Sequence, residues 1–196
     1  MVSSADSTAP HLSLLDGASP RVLVIGAGVS GLTTALCLRR RGFEVTVIAD
    51  RFAPQVTSVV AGALWEWPPA VCGQHQDAAA LKRSKAWCEL SYSIFTDLAR
   101  NEATGVFMRA ATFYFRRPVQ DDAQQWKKMQ ELQDNVREFR HDAGLIAENG
   151  VNRQLGYQEA YQHLAPMIDT DVELNWVPSR TSRKPRRAGS RFPGFD

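Results

Sequence analysis

The spacing of apolar positions changes along the chain, and each change marks an element. Residues 22–25 (Val-Leu-Val-Ile) form a short continuous apolar run, the pattern of a strand buried in a parallel sheet. Residues 32–41 are rich in Leu and Ala and end in Arg39-Arg40-Arg41 before Gly42. Basic residues suit the negative end of a helix dipole, and glycine suits the position after a helix. A second β-branched run follows at 44–49. Strand, helix and strand in this order predict a βαβ unit over residues 21–50.

Further along, Asp77 is placed to cap a helix over 78–101. Leu81, Trp87, Leu90, Ile94, Phe95 and Leu98 recur at helical spacing there and are read as one core-facing stripe. Gly105 ends that segment. Residues 106–117 alternate, with Phe107, Ala111, Phe113 and Phe115 on one face, as in a strand with one buried side. Asp121-Asp122 can start a second long helix. Trp126, Met129, Leu132, Val136 and Phe139 give it an amphipathic stripe to about Asp142. Lys127, Lys128, Glu131, Asp134, Arg137 and Glu138 make its solvated face. Thr170 and Glu173 have capping-box spacing for a further helix, which Pro178 should stop. Residues 178–196 show no period.

At 196 residues the chain can form one large domain or two small ones, and 44% hydrophobic residues can build a core. The net charge of +2 implies little, but its distribution is uneven. Residues 178–196 hold Arg180, Arg183, Lys184, Arg186, Arg187 and Arg191 against Asp196 alone, leaving 17 basic and 20 acidic residues before them. Cys37, Cys72 and Cys88 are odd in number and form no C-x-x-C pair, which argues against a zinc site or disulfide framework and for a reducing compartment. Cys37, inside the first helix, is read as core. His11, His75, His141 and His163 show no H-E-x-x-H spacing and are read as surface or loop residues; no metal site is expected. No apolar run reaches the roughly 20 residues of a membrane span. Residues 1–20 lack the pattern of a secretory signal and read as a disordered leader.

The chemistry is concentrated between the first two strands. Gly26-Ala27-Gly28-Val29-Ser30-Gly31 is a GxGxxG motif that follows a strand and opens a helix, and Asp50 closes the second strand. In that context the first glycine permits a tight turn, the second lets backbone approach a pyrophosphate, and the third lets helix and strand pack closely. The N–H groups at the helix start face the phosphates, and Asp50 is placed to accept hydrogen bonds from a ribose. The plainer alternative is a glycine turn in an ordinary βαβ unit. Beyond Pro54, the small and β-branched residues 56–63 suit either close approach to a flat ligand or packing on the first helix.

Val24-Ile25-Gly26-Ala27-Gly28-Val29, Asp50-Arg51-Phe52-x-Pro54, Thr57-Ser58 and Ala61-Gly62-Ala63-Leu64-Trp65 together resemble the D-amino acid oxidase family of FAD-dependent oxidoreductases. The resemblance implies an α/β fold: a Rossmann-like FAD-binding βαβ unit (21–70), then part of an α+β substrate domain (71–165), then a return toward the FAD domain (166–177). It implies FAD as cofactor and a small-molecule amino acid as substrate. It places Gly26, Ala27, Gly28, Val29, Ser30 and Gly31 at the pyrophosphate and Asp50 with Arg51 at the adenosine ribose. Thr57 and Ser58 fall at phosphate contacts, and Gly62, Ala63 and Leu64 at the flavin ring. Val56 stands where the family often has Thr, and Ala63 where it often has Gly. The residues that hold the substrate's carboxylate in the family lie in a half with no counterpart here, and no catalytic residue is named.

The resemblance stops within a helix just begun, before the basic tail of 178–196. That tail fits a localisation or nucleic-acid-binding element, a plain disordered terminus, or a departure of frame or splicing; the last is preferred, and nucleic acid is not expected as a partner. The reading that follows is the N-terminal portion of an oxidase, truncated and weakly active or inactive. The alternatives are a non-catalytic remnant that binds a partner, and an NADP-binding module with Arg51 at the 2′-phosphate. The expected location is intracellular, cytoplasmic or peroxisomal, although Gly194-Phe195-Asp196 is not an S-K-L address. The sequence leaves the oligomeric state open.

Overall fold

The computed structural model describes residues 19–68 and 77–172, with the backbone of 186–187. The chain divides into two compact units, the first reaching Val59 and resuming at Val177, the second running from Val60 to Trp176.

The first unit is the expected βαβ. Strands β1 (Arg21–Ile25) and β2 (Glu44–Ala49) pair in parallel, Arg21 opposite Glu44 through Ile25 opposite Ile48. Helix α1 (Val29–Arg40) joins them, with Arg39 and Arg40 in its last turn. Its buried face is Leu32, Ala35 and Leu36, the last two lying three and four residues after the first, as one helical face requires. Cys37 falls just off this face and is exposed, not core as the composition of the helix suggests. Gly42, at φ +88°, makes the turn into β2. Where the sequence predicts no regular element, Arg186–Arg187 forms a short strand, β6, parallel to the end of β2. A four-residue helix, α2 (Thr57–Val60), follows β2.

The second unit is an antiparallel sheet, order β3-β5-β4, with helices packed on it. Helix α3 (Ala78–Leu98) leads to β3 (Val106–Phe115), and helix α4 (Ala123–Asn135) leads to β4 (Arg137–His141). A short helix, α5 (Gly144–Glu148), precedes the central strand β5 (Glu159–Ile168). Asp77 and Asp122 cap α3 and α4 through their carboxylates, as their positions predict.

Three expectations are corrected here. The helix predicted to reach Asp142 stops at Asn135, and residues 137–141 pair with β5 instead. Val136 and Phe139 still pack on the core, and their spacing of three does not by itself distinguish a longer helix from this arrangement. The apolar stripe of α3 does not all face the core. Trp87, Leu90 and Ile94 are exposed, and the buried positions are Ser84, Tyr92 and Thr96. The cap of the helical turn that begins at Thr170 is Asp169, whose Oδ1 accepts from Asp171 N and Val172 N; Glu173 and Pro178 lie outside the described residues.

The core of this unit is aromatic. Trp65, Trp67, Tyr92, Val119, Met129, Leu132 and Tyr161 are buried together, with Phe113, Phe115 and Phe139 against them. Tyr92 joins three elements: its hydroxyl donates to Leu164 O at 2.8 Å and accepts from Arg137 N at 3.0 Å. Phe113 and Phe115 join the core from β3 as predicted, whereas Phe107 is exposed.

Candidate cofactor-binding site

The glycine motif forms a turn that depends on glycine at positions 26 and 31. Gly26 takes φ +109°, which side chains rarely adopt, and its N–H donates to Ile48 O at 2.7 Å. A Cβ on Gly31 would lie 2.2 Å from the Gly26 carbonyl oxygen. The third glycine therefore brings the first turn of α1 against the end of β1. Ala27 is buried beside it.

Gly28 is the N-cap residue of α1 and offers no side-chain cap, and no acidic residue stands in the first turn. The positive end of the helix dipole and the first N–H groups are thus left to a ligand or to another segment. Ser58 supplies one contact: Val29 N donates to its Oγ at 3.0 Å. A Cβ on Gly28 would stand 3.1 Å from that same hydroxyl. Gly26, Ala27, Gly28, Val29, Ser30, Gly31 and Ser58 are therefore one local assembly. Thr57 begins α2 beside Ser58 and is exposed.

Asp50 directly follows β2 with its carboxylate in solvent, 3.4 Å from Arg51 Nε. Asp50, Arg51, Phe52 and Gln55 line a cavity of about 350 Å³. Phe52 and Gln55 were not singled out by the sequence. The Phe-x-Pro turn after Asp50 was the available signal for Phe52, and none marked Gln55.

Gly62, Ala63 and Leu64 belong to the second unit, and the structure places them beside β5. Ala63 O accepts from Ile168 N at 3.0 Å, Leu64 bridges Met167 in antiparallel fashion, and Trp65 N donates to Pro166 O at 3.0 Å. Trp65 anchors the segment from below. Its Nε1 reaches Ser91 Oγ at 3.2 Å and Cys88 O at 3.3 Å. Gly62 and Leu64 remain exposed, and nothing lies within 4 Å of a Cβ built on Gly62.

A polar cluster that the sequence did not indicate lies under this segment. Lys128, expected on a solvated face, is buried and pairs with Glu66 Oε2 at 2.8 Å while its Nζ sits 4.9 Å from the Phe113 ring centre. Glu131 accepts from Lys85 Nζ at 2.6 Å and from Trp67 Nε1 at 2.8 Å. Burial alone would raise the Glu131 carboxyl, but these two donors outweigh it and hold the group below the usual carboxylate range. His163, read as a surface or loop residue, is buried on β5, stacked on Phe113 and edge-on to Trp65. Burial pushes its imidazole below the ordinary value. Among the described residues no group of three or more His, Cys, Asp or Glu could hold a metal ion. No described helix is long and apolar enough to cross a membrane.

A parallel βαβ with an open helix start, a glycine cradle and an acid at the end of β2 is a dinucleotide-binding arrangement. The family model described as FAD dependent oxidoreductase matches residues 21–172, and the chain belongs to that family. The family's cofactor is FAD, and the cradle fits it: a Cβ on Gly31 would close the turn, and the helix start carries no competing carboxylate. Among curated proteins, a D-amino-acid oxidase of Streptomyces coelicolor is 42% identical over 88 residues, covering 44% of this chain and 25% of its own. A D-amino-acid oxidase of Rubrobacter xylanophilus is 35% identical over 97 residues, covering 50% of this chain and 27% of its own. These matches therefore span about a quarter of each relative's length. Among solved structures, L-proline dehydrogenase from P. horikoshii superposes with a TM-score of 0.58 at 19% identity, covering 83% of this chain and 41% of that one, a likeness of fold.

Proposed function

We propose that this chain holds FAD for the oxidation of an amino acid, and that the substrate is a D-amino acid. The observation that carries the reading is the seating of Gly31 against the Gly26 carbonyl, which leaves the start of α1 open beside Gly28. In this reading Gly26, Ala27, Gly28, Val29, Ser30 and Gly31 bind the pyrophosphate through backbone N–H groups. Ser58 and Thr57 turn their hydroxyls to phosphate oxygens, Ser58 giving up its contact with Val29. Asp50 accepts from the ribose hydroxyls, with Arg51 beside it. The exposed backbone of Gly62, Ala63 and Leu64 lies along the flavin ring. When bound, FAD would supply the two-electron redox chemistry of amino acid oxidation, with oxygen as the acceptor. The chain's residues bind and orient. The D-amino acid follows from the two curated relatives.

Titration of the purified chain with FAD, followed by visible absorbance and flavin fluorescence, tests the cofactor. Saturable binding with a shifted flavin band is expected, and Gly31→Ala should abolish it. Saturation by NADPH with no response to FAD would instead favour the nicotinamide reading, with Arg51 at the 2′-phosphate. Anaerobic bleaching of the bound flavin by D-alanine, and not by L-alanine, would support the substrate class; bleaching by the L-enantiomer alone would overturn it.

A further inference from the structure

Helix α3 carries an apolar stripe on its outer side. Trp87, Leu90 and Ile94 are 65%, 60% and 48% exposed. Their spacings of three and four place them on one face. The inner face needs none of them, because Ser84, Tyr92 and Thr96 fill it. A solvated helix gains nothing from three large apolar side chains in a row, so the stripe calls for a cover.

The charges along the same face identify the cover. Continuing the four-and-three spacing reaches Arg83 before Trp87 and Asp97 after Ile94. Both are exposed, and Asp97 holds a solvent-facing contact with Arg100 at 3.4 Å. Arg83 and Asp97 stand at equal distances from Leu90, one basic and one acidic. Such a face is complementary to itself when turned end for end. About a two-fold axis at Leu90, an antiparallel copy sets Leu90 on Leu90, Trp87 beside Ile94, and each Arg83 against the other copy's Asp97. Isologous contacts of this kind are the commonest way homodimers close.

We propose that α3 is a dimerisation surface and that its occupant is the α3 of a second copy of this chain, antiparallel and centred on Leu90. The contact is small. A helix of 21 residues is about 30 Å long and presents a strip about 10 Å wide. That falls below the area of a standard interface, so weak, concentration-dependent association is expected. The surface is independent of the cofactor reading.

The test is sedimentation equilibrium of the full chain from about 5 to 200 μM, a range chosen for weak interfaces. The expected result is a mass rising with concentration from 21.8 kDa toward twice that value. Leu90→Arg, which sets two cations on the axis, should hold the chain monomeric throughout. Arg83→Asp or Asp97→Arg alone should weaken the dimer about tenfold, because like charges then face each other. The pair R83D/D97R should restore it. All of these side chains are exposed, so circular dichroism of the variants should match the parent. A monomer at every concentration would overturn the proposal. So would a dimer or larger species indifferent to Leu90→Arg, or a charge-swapped pair that fails to restore association.

Discussion

His163 shows how a single buried residue sets a pH response. Its ring lies 5.7 Å from the Phe113 centroid and 6.3 Å from that of Trp65. Burial lowers its pKa; the Leu164 carbonyl and the Glu66 carboxylate oppose that, and Lys128 adds to it. The unfolded chain, with an ordinary imidazole near 6.5, takes up the proton first. The stabilisation is therefore complete above about pH 6.5 and is lost as the pH falls through the lowered folded value. Urea unfolding should show a lower midpoint at pH 5.5 than at 7.5, and His163→Phe should flatten that difference. The depressed carboxyl of Glu131 acts in the same direction, but its stabilisation is complete above the usual Glu range near 4.3 and is lost only as the pH falls further. A midpoint that falls equally in His163→Phe would refute the assignment. Gly31 makes a second prediction at this scale. Its added methyl would meet the Gly26 carbonyl, and overpacking of this kind costs about 1–3 kcal/mol. Gly31→Ala should lower the first unit's unfolding midpoint accordingly.

Among the elements, α4 and α3 hold the second unit through polar groups as much as apolar ones. Lys128 and Glu66 are both largely shielded from solvent. Removing one partner leaves an uncompensated buried charge, whereas removing both leaves none. Lys128→Met alone should cost about 3 kcal/mol in chemical denaturation, and the double variant Lys128→Met/Glu66→Gln should recover most of it. Equal losses in the single and double variants would show that the pair is not what Lys128 contributes. The same polar burial limits what hydrophobic spacing can reveal. The βαβ, the caps Asp77 and Asp122, and the stripe Trp126-Met129-Leu132 were legible because each rests on local chemistry. Strand β5 was not, since Gln162, His163 and Pro166 interrupt any β-branched alternation. Its place is set by long-range pairing with β3 and β4. The inner face of α3 was equally hidden: Tyr92 is buried because its hydroxyl finds Leu164 and Arg137, partners that no local pattern encodes.

At the scale of the whole chain, the two units differ in what holds them together. The first rests on small and aliphatic residues, Val24, Ala27, Leu32, Ala35, Leu36 and Ala49, while Leu23 and Ile25 of β1 stand 56% and 77% exposed. The second encloses Trp65, Trp67, Tyr92 and Tyr161 between helices and a sheet whose two longest strands pair over ten residues. Large aromatic side chains bury far more area than Ala or Val. Within the first unit the glycine cradle was legible because Gly26 and Gly31 are dictated within six residues. The bond from Val29 to Ser58 and the bridge from Leu64 to Met167 were not, because each joins distant parts of the chain. Local stability follows buried area and is read by amide hydrogen exchange. Amides of β3 and β5 should therefore exchange at least about tenfold more slowly than those of β1, β2 and α1. Adding FAD should slow exchange in the first turn of α1 and at Gly26–Gly31 while leaving the slowest amides of β3 and β5 unchanged. Equal protection of both units without FAD would show that the exposed face of β1 costs the first unit nothing.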